Sequence, residues 1–369
     1  MINTVRRDSA FVVIGAFYII IMAVSIPANI LILLAMGLNK KLQTPINILV
    51  GNLSVAGLAI AILRMPFKIY ELFNPDASFI LPTSFAMCRF QQILPAASVL
   101  CISITLTTIC VDRYLAIMYP MKQYLKMTLT RVYIFLPISW GVSFACFGPY
   151  ASIMTLQTIN DRVYCFPIYP KSPADINITN SDGDFVRLIT ASNIVLWGLF
   201  IPIAFLIPSI IMATLYFIIV RHLWYGEAPG DKVKTVIVKE RAIRQKQKQR
   251  VVKLLIICCL IFILTNLPYY AVFMLLDFGF LQIPRSDTTI VTNSLIIINL
   301  SAVAYNPIIY GYFNRSIKKA VDNLLRRIQC KPPIEEHNFV DVTCVTRVPN
   351  GHDGTSYLKS AAYHIKSTN

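Results

Sequence analysis

Seven stretches of this chain are each long and apolar enough to cross a lipid bilayer, and this limits the possible folds more tightly than any other property. They run at about 11–36, 45–70, 86–117, 131–154, 190–221, 250–276 and 288–311. A hydrocarbon core about 30 Å thick is spanned by roughly 20 apolar residues in a helix. Inside it every backbone N–H and C=O must find a partner within the protein, so spanning segments are helices or closed barrels. Unbroken apolar runs of this length are helices. The fold class is therefore an all-α membrane protein, a seven-transmembrane helix bundle. Charge content agrees, because only 14% of the 369 residues are charged, whereas a soluble domain carries about 25%.

The breaks between spans hold turn and charge signals, such as Asn39-Lys40-Lys41, Asn74-Pro75-Asp76, Tyr119-Pro120 and Pro284-Arg285. Arg6, Arg7 and Asp8 lead straight into an apolar stretch too long for a cleavable signal peptide, so the first span is expected to serve as the insertion signal. An eighth segment, within residues 312–330, is amphipathic. Ile317, Val321, Leu324, Leu325 and Ile328 share one face, with Arg315, Lys318, Lys319 and Arg326 around the rest. This pattern predicts a helix lying flat on the membrane lipid. The organisation is thus a short N-terminal segment (1–10), a transmembrane domain (11–311), the surface helix (312–330) and a polar tail (331–369) expected to lack regular structure.

The formal net charge is +16. Its placement argues for topology rather than for nucleic acid. The loops after spans 1, 3 and 5 and the segment after span 7 carry most of the 34 Lys and Arg residues. By the positive-inside rule those loops face the cytoplasm, which puts the N-terminus outside and the C-terminus inside. The basic stretch Lys239 to Lys253 is a membrane anchor, a docking surface for a cytoplasmic partner, or both.

Nine cysteines are present, and most fall within spans, where they act as small apolar residues. Cys88, at the outer end of span 3, and Cys165, in the loop between spans 4 and 5, lie on the extracellular side, where disulfides persist. Joined, they would tie the loop between spans 4 and 5 across the bundle mouth; the alternative is two separate thiols. Asn177-Ile178-Thr179 in that loop is a glycosylation acceptor on the same side. Cys330, after the amphipathic segment, is a palmitoylation candidate or an ordinary thiol.

Span 3 runs from Cys88 at one face to Asp112-Arg113-Tyr114 at the other, about 25 residues or roughly 37 Å of helix. A charged pair is costly inside lipid, so the triplet lies at a membrane face. Prolines recur within spans at Pro208, Pro268 and Pro307, each freeing a carbonyl and permitting a kink. Asn306-Pro307 with Tyr310 puts an amide, a kink and a phenol within one turn.

With these residues in view, the chain resembles the rhodopsin-like (class A) G-protein-coupled receptors over about residues 10–330. The resemblance rests on Asn29, Asn52-Leu53, Cys88 with Cys165, Asp112-Arg113-Tyr114, Trp140, Pro208 with Tyr216, Phe262 with Pro268, and Asn306-Pro307-Ile308-Ile309-Tyr310. It implies a two-state bundle biased by an extracellular ligand. Span 6 would swing outward below Pro268, Arg113 would turn to meet a heterotrimeric G protein, and Tyr216 and Tyr310 would rearrange to line the opened cavity. The plasma membrane is the implied location, and arrestin a further partner through tail residues Thr343, Thr346, Thr355, Ser356 and Ser360.

Several departures from the family pattern carry expectations. Gly57 stands where members usually have a sodium-binding aspartate, and Ile102, Ala302 and Val303 replace its polar neighbours, so no sodium site is expected. Asn266 stands where span 6 commonly has a tryptophan. Lys248 matches a glutamate that pairs with the span 3 arginine in many members. A lysine there would repel Arg113, which predicts a weakly latched inactive state with appreciable basal signalling. Pro95 matches the aspartate of amine receptors and Leu300 the retinal lysine of opsins, which disfavours both ligand classes.

By family position the ligand-binding walls are Arg64, Gln92, Pro95, Ala96, Val99, Tyr269, Tyr270, Phe273, Ile296 and Asn299. Arg64 is an intramembrane charge, and such charges mark functional sites by default. The bland alternatives are that it snorkels to the headgroups or pairs with Glu71. A short extracellular peptide is the first-choice ligand, since Asp161, Asp175, Asp182 and Asp184 make the second outer loop acidic. A small anionic ligand is the second. A transporter or channel would need charges lining a path, and apart from Arg64 they sit at span ends. An intramembrane enzyme would need convergent acids or histidines. No catalytic residue, metal site or cofactor is therefore expected.

Overall fold

The computed structural model describes residues 2–73, 85–159, 162–168, 170, 172–173, 175–179, 185–225, 235–329, 342–349 and 356–363. Ten α-helices occur among them: α1 (Ile2–Leu38), α2 (Pro45–Leu63), α3 (Met65–Phe73), α4 (Phe85–Met118), α5 (Leu129–Ile153), α6 (Ala191–Ile201), α7 (Ile207–Tyr225), α8 (Thr235–Asp277), α9 (Arg285–Phe313) and α10 (Arg315–Ile328). They make seven membrane-length apolar spans: Ser9–Leu38, Pro45–Phe73, Cys88–Met118, Gln123–Ile153, Trp197–Leu223, Val252–Asp277 and Asp287–Tyr312. α10 is the amphipathic eighth helix. α1 begins at Ile2, so it takes in residues assigned above to a separate N-terminal segment.

Local chemistry sets the helix ends. Thr44 caps α2 by accepting from Asn47 N, with Pro45 at the first helical position, where its missing N–H costs nothing. Thr128 caps α5 in the same way, and Asn314 caps α10 through Ser316 N and Ile317 N. Pro66 accounts for the break between α2 and α3. It cannot donate to the carbonyl four residues back, and the helix is interrupted at Arg64.

Span 5 departs from the kink expected at Pro208. The wide turn is a π stretch over Pro202–Leu206, closed by Ile207 N bonding to Pro202 O. Pro208 sits in the first turn of α7 instead. One extra residue in the turn supplies the slack that an in-line proline demands.

Buried polar side chains tie the helices together. Asn29 on α1 donates to Ser25 O (2.8 Å) and to Val303 O of α9 (3.1 Å). A Cβ at Gly57 would lie 3.3 Å from both amide atoms of Asn29, so the small residue admits this cross-link. Asn52 on α2 donates to Thr105 Oγ1 of α4 (2.9 Å) and accepts from Trp140 Nε1 of α5 (2.9 Å). Such bonds orient helices packed in lipid, where the hydrophobic effect does not drive association. Leu49, Ile60, Leu100, Ile109 and Ile219 are buried between helices, whereas Phe217 and Leu264 are 68% and 65% exposed on the outer surface. Large apolar groups facing outward suit hydrocarbon surroundings rather than water.

The segment between spans 4 and 5 is not plain loop. β1 (Met154–Ile159) pairs antiparallel with β2 (Arg162–Pro167), placing Leu156 opposite Cys165. β3 (Ile176–Thr179) pairs with β4 (Phe185–Ile189). In the tail, where composition led to an expectation of no regular structure, β5 (Val342–Pro349) pairs with β6 (Ser356–Tyr363). Val342, Val345, Val348, Tyr357 and Tyr363 are strand formers whose presence outweighs the polar average. Cys330 lies outside the described residues, as do the side chains of Asn177, Lys248 and the tail Ser and Thr residues.

Candidate functional site

Two sites matter, one at each end of the bundle. At the first, Cys88 in the opening turn of α4 is disulfide-bonded to Cys165 of β2, with Cα atoms 5.8 Å apart. The β1–β2 hairpin is thereby fastened to α4 one turn before Gln92, which borders a cavity of about 370 Å³. That volume lies in the range of small-ligand pockets.

All ten side chains expected at a ligand site border this one cavity. Arg64 comes from the α2–α3 break, and Gln92, Pro95, Ala96 and Val99 from α4. Tyr269, Tyr270 and Phe273 come from α8, and Ile296 and Asn299 from α9. Phe147, Trp197 and Asp277 also border it and were not singled out from sequence. Trp197 and Phe147 gave no signal beyond apolar content. Asp277 is the last residue of α8 and reads in sequence as an ordinary helix-end charge.

Arg64 is half-buried and does not pair with Glu71. Its Nη1 donates to Gln92 Oε1 at 2.8 Å. Glu71 is taken by Lys68 on the same helix face, because i and i+3 side chains are neighbours while Arg64 and Glu71 are seven residues apart. Tyr18 Oη donates to Asn293 Oδ1 at 3.3 Å, joining α1 to α9 near the same end.

From the cavity wall a chain of aromatic rings leads toward the bundle centre. Phe273 and Tyr269 have centroids 4.6 Å apart, Tyr269 and Tyr270 5.2 Å, Tyr270 and Phe205 5.4 Å, and Phe205 and Phe262 5.9 Å. These separations lie in the range of favourable ring contacts. Phe205 belongs to the π stretch, so the wide turn of span 5 presents the ring that links two rings of α8.

Asn266 occupies the place where the family commonly has a tryptophan. It is 4% exposed, accepts from Asn299 Nδ2 at 2.9 Å and donates to Phe262 O at 2.7 Å. Asn299 also borders the large cavity, so one amide faces the pocket and holds α8 at once. Beneath it lies a second cavity of about 20 Å³, bordered by Ile102, Leu106, Phe262, Asn266, Val303 and Asn306 among others. Its walls combine apolar side chains with neutral amides.

At the opposite end, Asp112 and Arg113 form a compact unit. Arg113 Nε and Nη2 both donate to Asp112 Oδ2, at 3.2 and 2.7 Å. Asp112 Oδ1 accepts from Met127 N at 2.9 Å, anchoring the connection between spans 3 and 4. Tyr114 meets Tyr119 edge-on at 6.2 Å. The inner stretch of α8 is held to α7 by a neutral bond from Gln249 Nε2 to Leu223 O at 3.3 Å. Tyr216 and Tyr310 are buried, and the Tyr310 hydroxyl has no oxygen or nitrogen partner among the described residues. Pro268 and Pro307 lie inside α8 and α9. α10 is docked by Asn314 Nδ2 donating to Asn47 Oδ1 at 3.1 Å and by buried Ile317.

Comparison with known proteins places this geometry in context. The family model described as 7 transmembrane receptor (rhodopsin family) matches residues 28–310. A QRFP-like peptide receptor of Branchiostoma floridae is 24% identical over 85% of this chain and 77% of its own length. Neuropeptide FF receptor 2 of Mus musculus is 24% identical over 86% and 74%. Neuromedin-K receptor of Cavia porcellus is 26% identical over 83% and 63%.

Proposed function

The chain belongs to the rhodopsin family of seven-transmembrane receptors, and from that premise we propose that it carries an extracellular peptide signal to a heterotrimeric G protein. The observation that carries this reading is the pair Asn299–Asn266, which connects the wall of the large cavity to α8. A ligand that draws on the Asn299 amide competes with Asn266. It thereby biases the helix whose inner end must move, and the coupling free energy is the difference in contacts between the two states. The similar proteins named as peptide receptors support a peptide in particular. A cavity of about 370 Å³ suits one end of a peptide, with the β1–β2 hairpin alongside to meet the remainder.

In this reading the N-terminus, Cys88 and Asn177 face outward, with a glycan on Asn177. The Arg113 end faces the cytoplasm. α10 rests on membrane lipid, palmitoyl-Cys330 adds an anchor, and the phosphorylated tail receives arrestin.

The test is nucleotide exchange by a purified G protein added to membranes holding the full chain. Exchange without ligand is expected to exceed that of empty membranes, because Lys248 stands where many family members have a glutamate that pairs with the span 3 arginine, and a lysine there repels Arg113. Exchange equal to empty membranes across the G-protein classes would overturn the coupling assignment.

The asparagine pair gives a second expected result. Asn266→Leu and Asn299→Leu each remove a buried amide bond worth about 1 kcal/mol, so each raises ligand-free exchange roughly five-fold. The double variant should match the singles, since residues acting through one bond are not additive. Additive increases would mean that the two amides act separately.

A further inference from the structure

We propose that Arg64 and Gln92 form an anion subsite that takes the free carboxylate terminus of a peptide; this rests on the peptide reading above. A guanidinium offers five N–H donors in a planar fork. One is satisfied by Gln92 Oε1 at 2.8 Å, and the others have no hydrogen-bond partner among the described residues. Among those residues Arg64 also has no ion pair, and Glu71, the acid nearest it in sequence, is committed to Lys68. A half-buried cation in the wall of a cavity otherwise rich in aromatic and aliphatic groups is complemented by an anion.

The position of the charge is built into the backbone. The break at Arg64 lies between α2 and α3, two residues before Pro66. Gln92 stands facing it on α4, and its amide nitrogen is a further donor beside the guanidinium. A carboxylate supplies two oxygens, one for the guanidinium fork and one for the amide, in the paired geometry that arginine favours. A terminal carboxamide supplies one acceptor, brings two donors toward a cation and leaves the charge uncompensated. Asp277 borders the same cavity. Its negative charge disfavours a purely anionic amphiphile such as a fatty acid.

The experiment uses one pentapeptide library synthesised twice, as C-terminal acids and as C-terminal amides, applied to cells expressing the full chain with signalling read as cAMP and calcium. A long-chain fatty acid panel forms a third arm. Active sequences are expected to be more potent as acids, by roughly 10- to 100-fold, the range of a charge-assisted bond. Arg64→Gln should remove that acid-over-amide preference, and Arg64→Lys should retain part of it, with surface staining confirming that both variants reach the membrane. Amides as potent as acids, or a preference unchanged in Arg64→Gln, overturns the subsite while the peptide reading stands. Fatty acids active and both peptide series silent, or silence in all three arms, overturns the subsite and the peptide reading together.

Discussion

Arg113→Ala is expected to reduce ligand-driven nucleotide exchange to the level of empty membranes while leaving ligand affinity within about three-fold. The reason is the separation of the two sites. Arg113 lies at the far end of α4 from the cavity, about 25 residues or roughly 37 Å beyond Cys88. It touches none of the residues bordering the pocket. Its guanidinium is held by two bonds to Asp112 Oδ2, and Asp112 is fixed in turn by Met127 N. Among the described residues the arginine is held by its own neighbour, Asp112. Asp112→Asn is the informative companion. It removes the charge from both bonds, each worth about 1.5–3 kcal/mol when charge-assisted, and should raise ligand-free exchange where Arg113→Ala abolishes it. Opposite signs from adjacent substitutions distinguish a releasable effector from general damage to the fold. Retained exchange in Arg113→Ala, with normal surface expression, would remove Arg113 from the coupling surface.

Cys165→Ser is expected to lower the apparent melting temperature of the solubilised chain by more than any single substitution in the cavity wall, and to cut surface expression severely. The Cys88–Cys165 bridge closes a loop of 77 residues. A chain-entropy estimate for a loop of that size is about 4.5 kcal/mol. Without it, the β1–β2 hairpin is held by the bond from Ile168 N to Ile153 O, by buried Met154 and by contacts of the strand pair itself. Cys88→Ser should match Cys165→Ser, and the double variant should be no worse than either, because both residues act through one covalent bond. A double variant markedly less stable than the singles would show that each sulfur packs independently of the bridge.

Much of the architecture is legible in the sequence. Length and hydropathy dictated seven helices, because lipid offers no partner for an unpaired backbone group. Cys88 and Cys165 stand out because both lie at the same membrane face, one at the outer end of span 3 and one in the loop after span 4. The ten positions carried over by resemblance converge on one cavity, since equivalent positions in a bundle of fixed topology face the same interior.

What escaped the sequence depended on choices among near neighbours in space. Glu71 had two basic residues within two turns, and helix geometry awarded it to Lys68, leaving Arg64 to Gln92. Pro208 looked like the bend of span 5, yet the slack was taken up at Pro202–Leu206, which set Phe205 between Tyr270 and Phe262. Asn266 read as the loss of an aromatic switch, and only the approach of α9 showed that it bonds to Asn299.

The sequence by itself determined the number of crossings, their order and their ends, because those obey the one-dimensional demands of backbone satisfaction in lipid. Tertiary structure alone decided which polar side chain meets which. A hydrogen bond closes at about 3 Å, and residues 28 or 33 positions apart in the chain reach that distance only once the helices have packed.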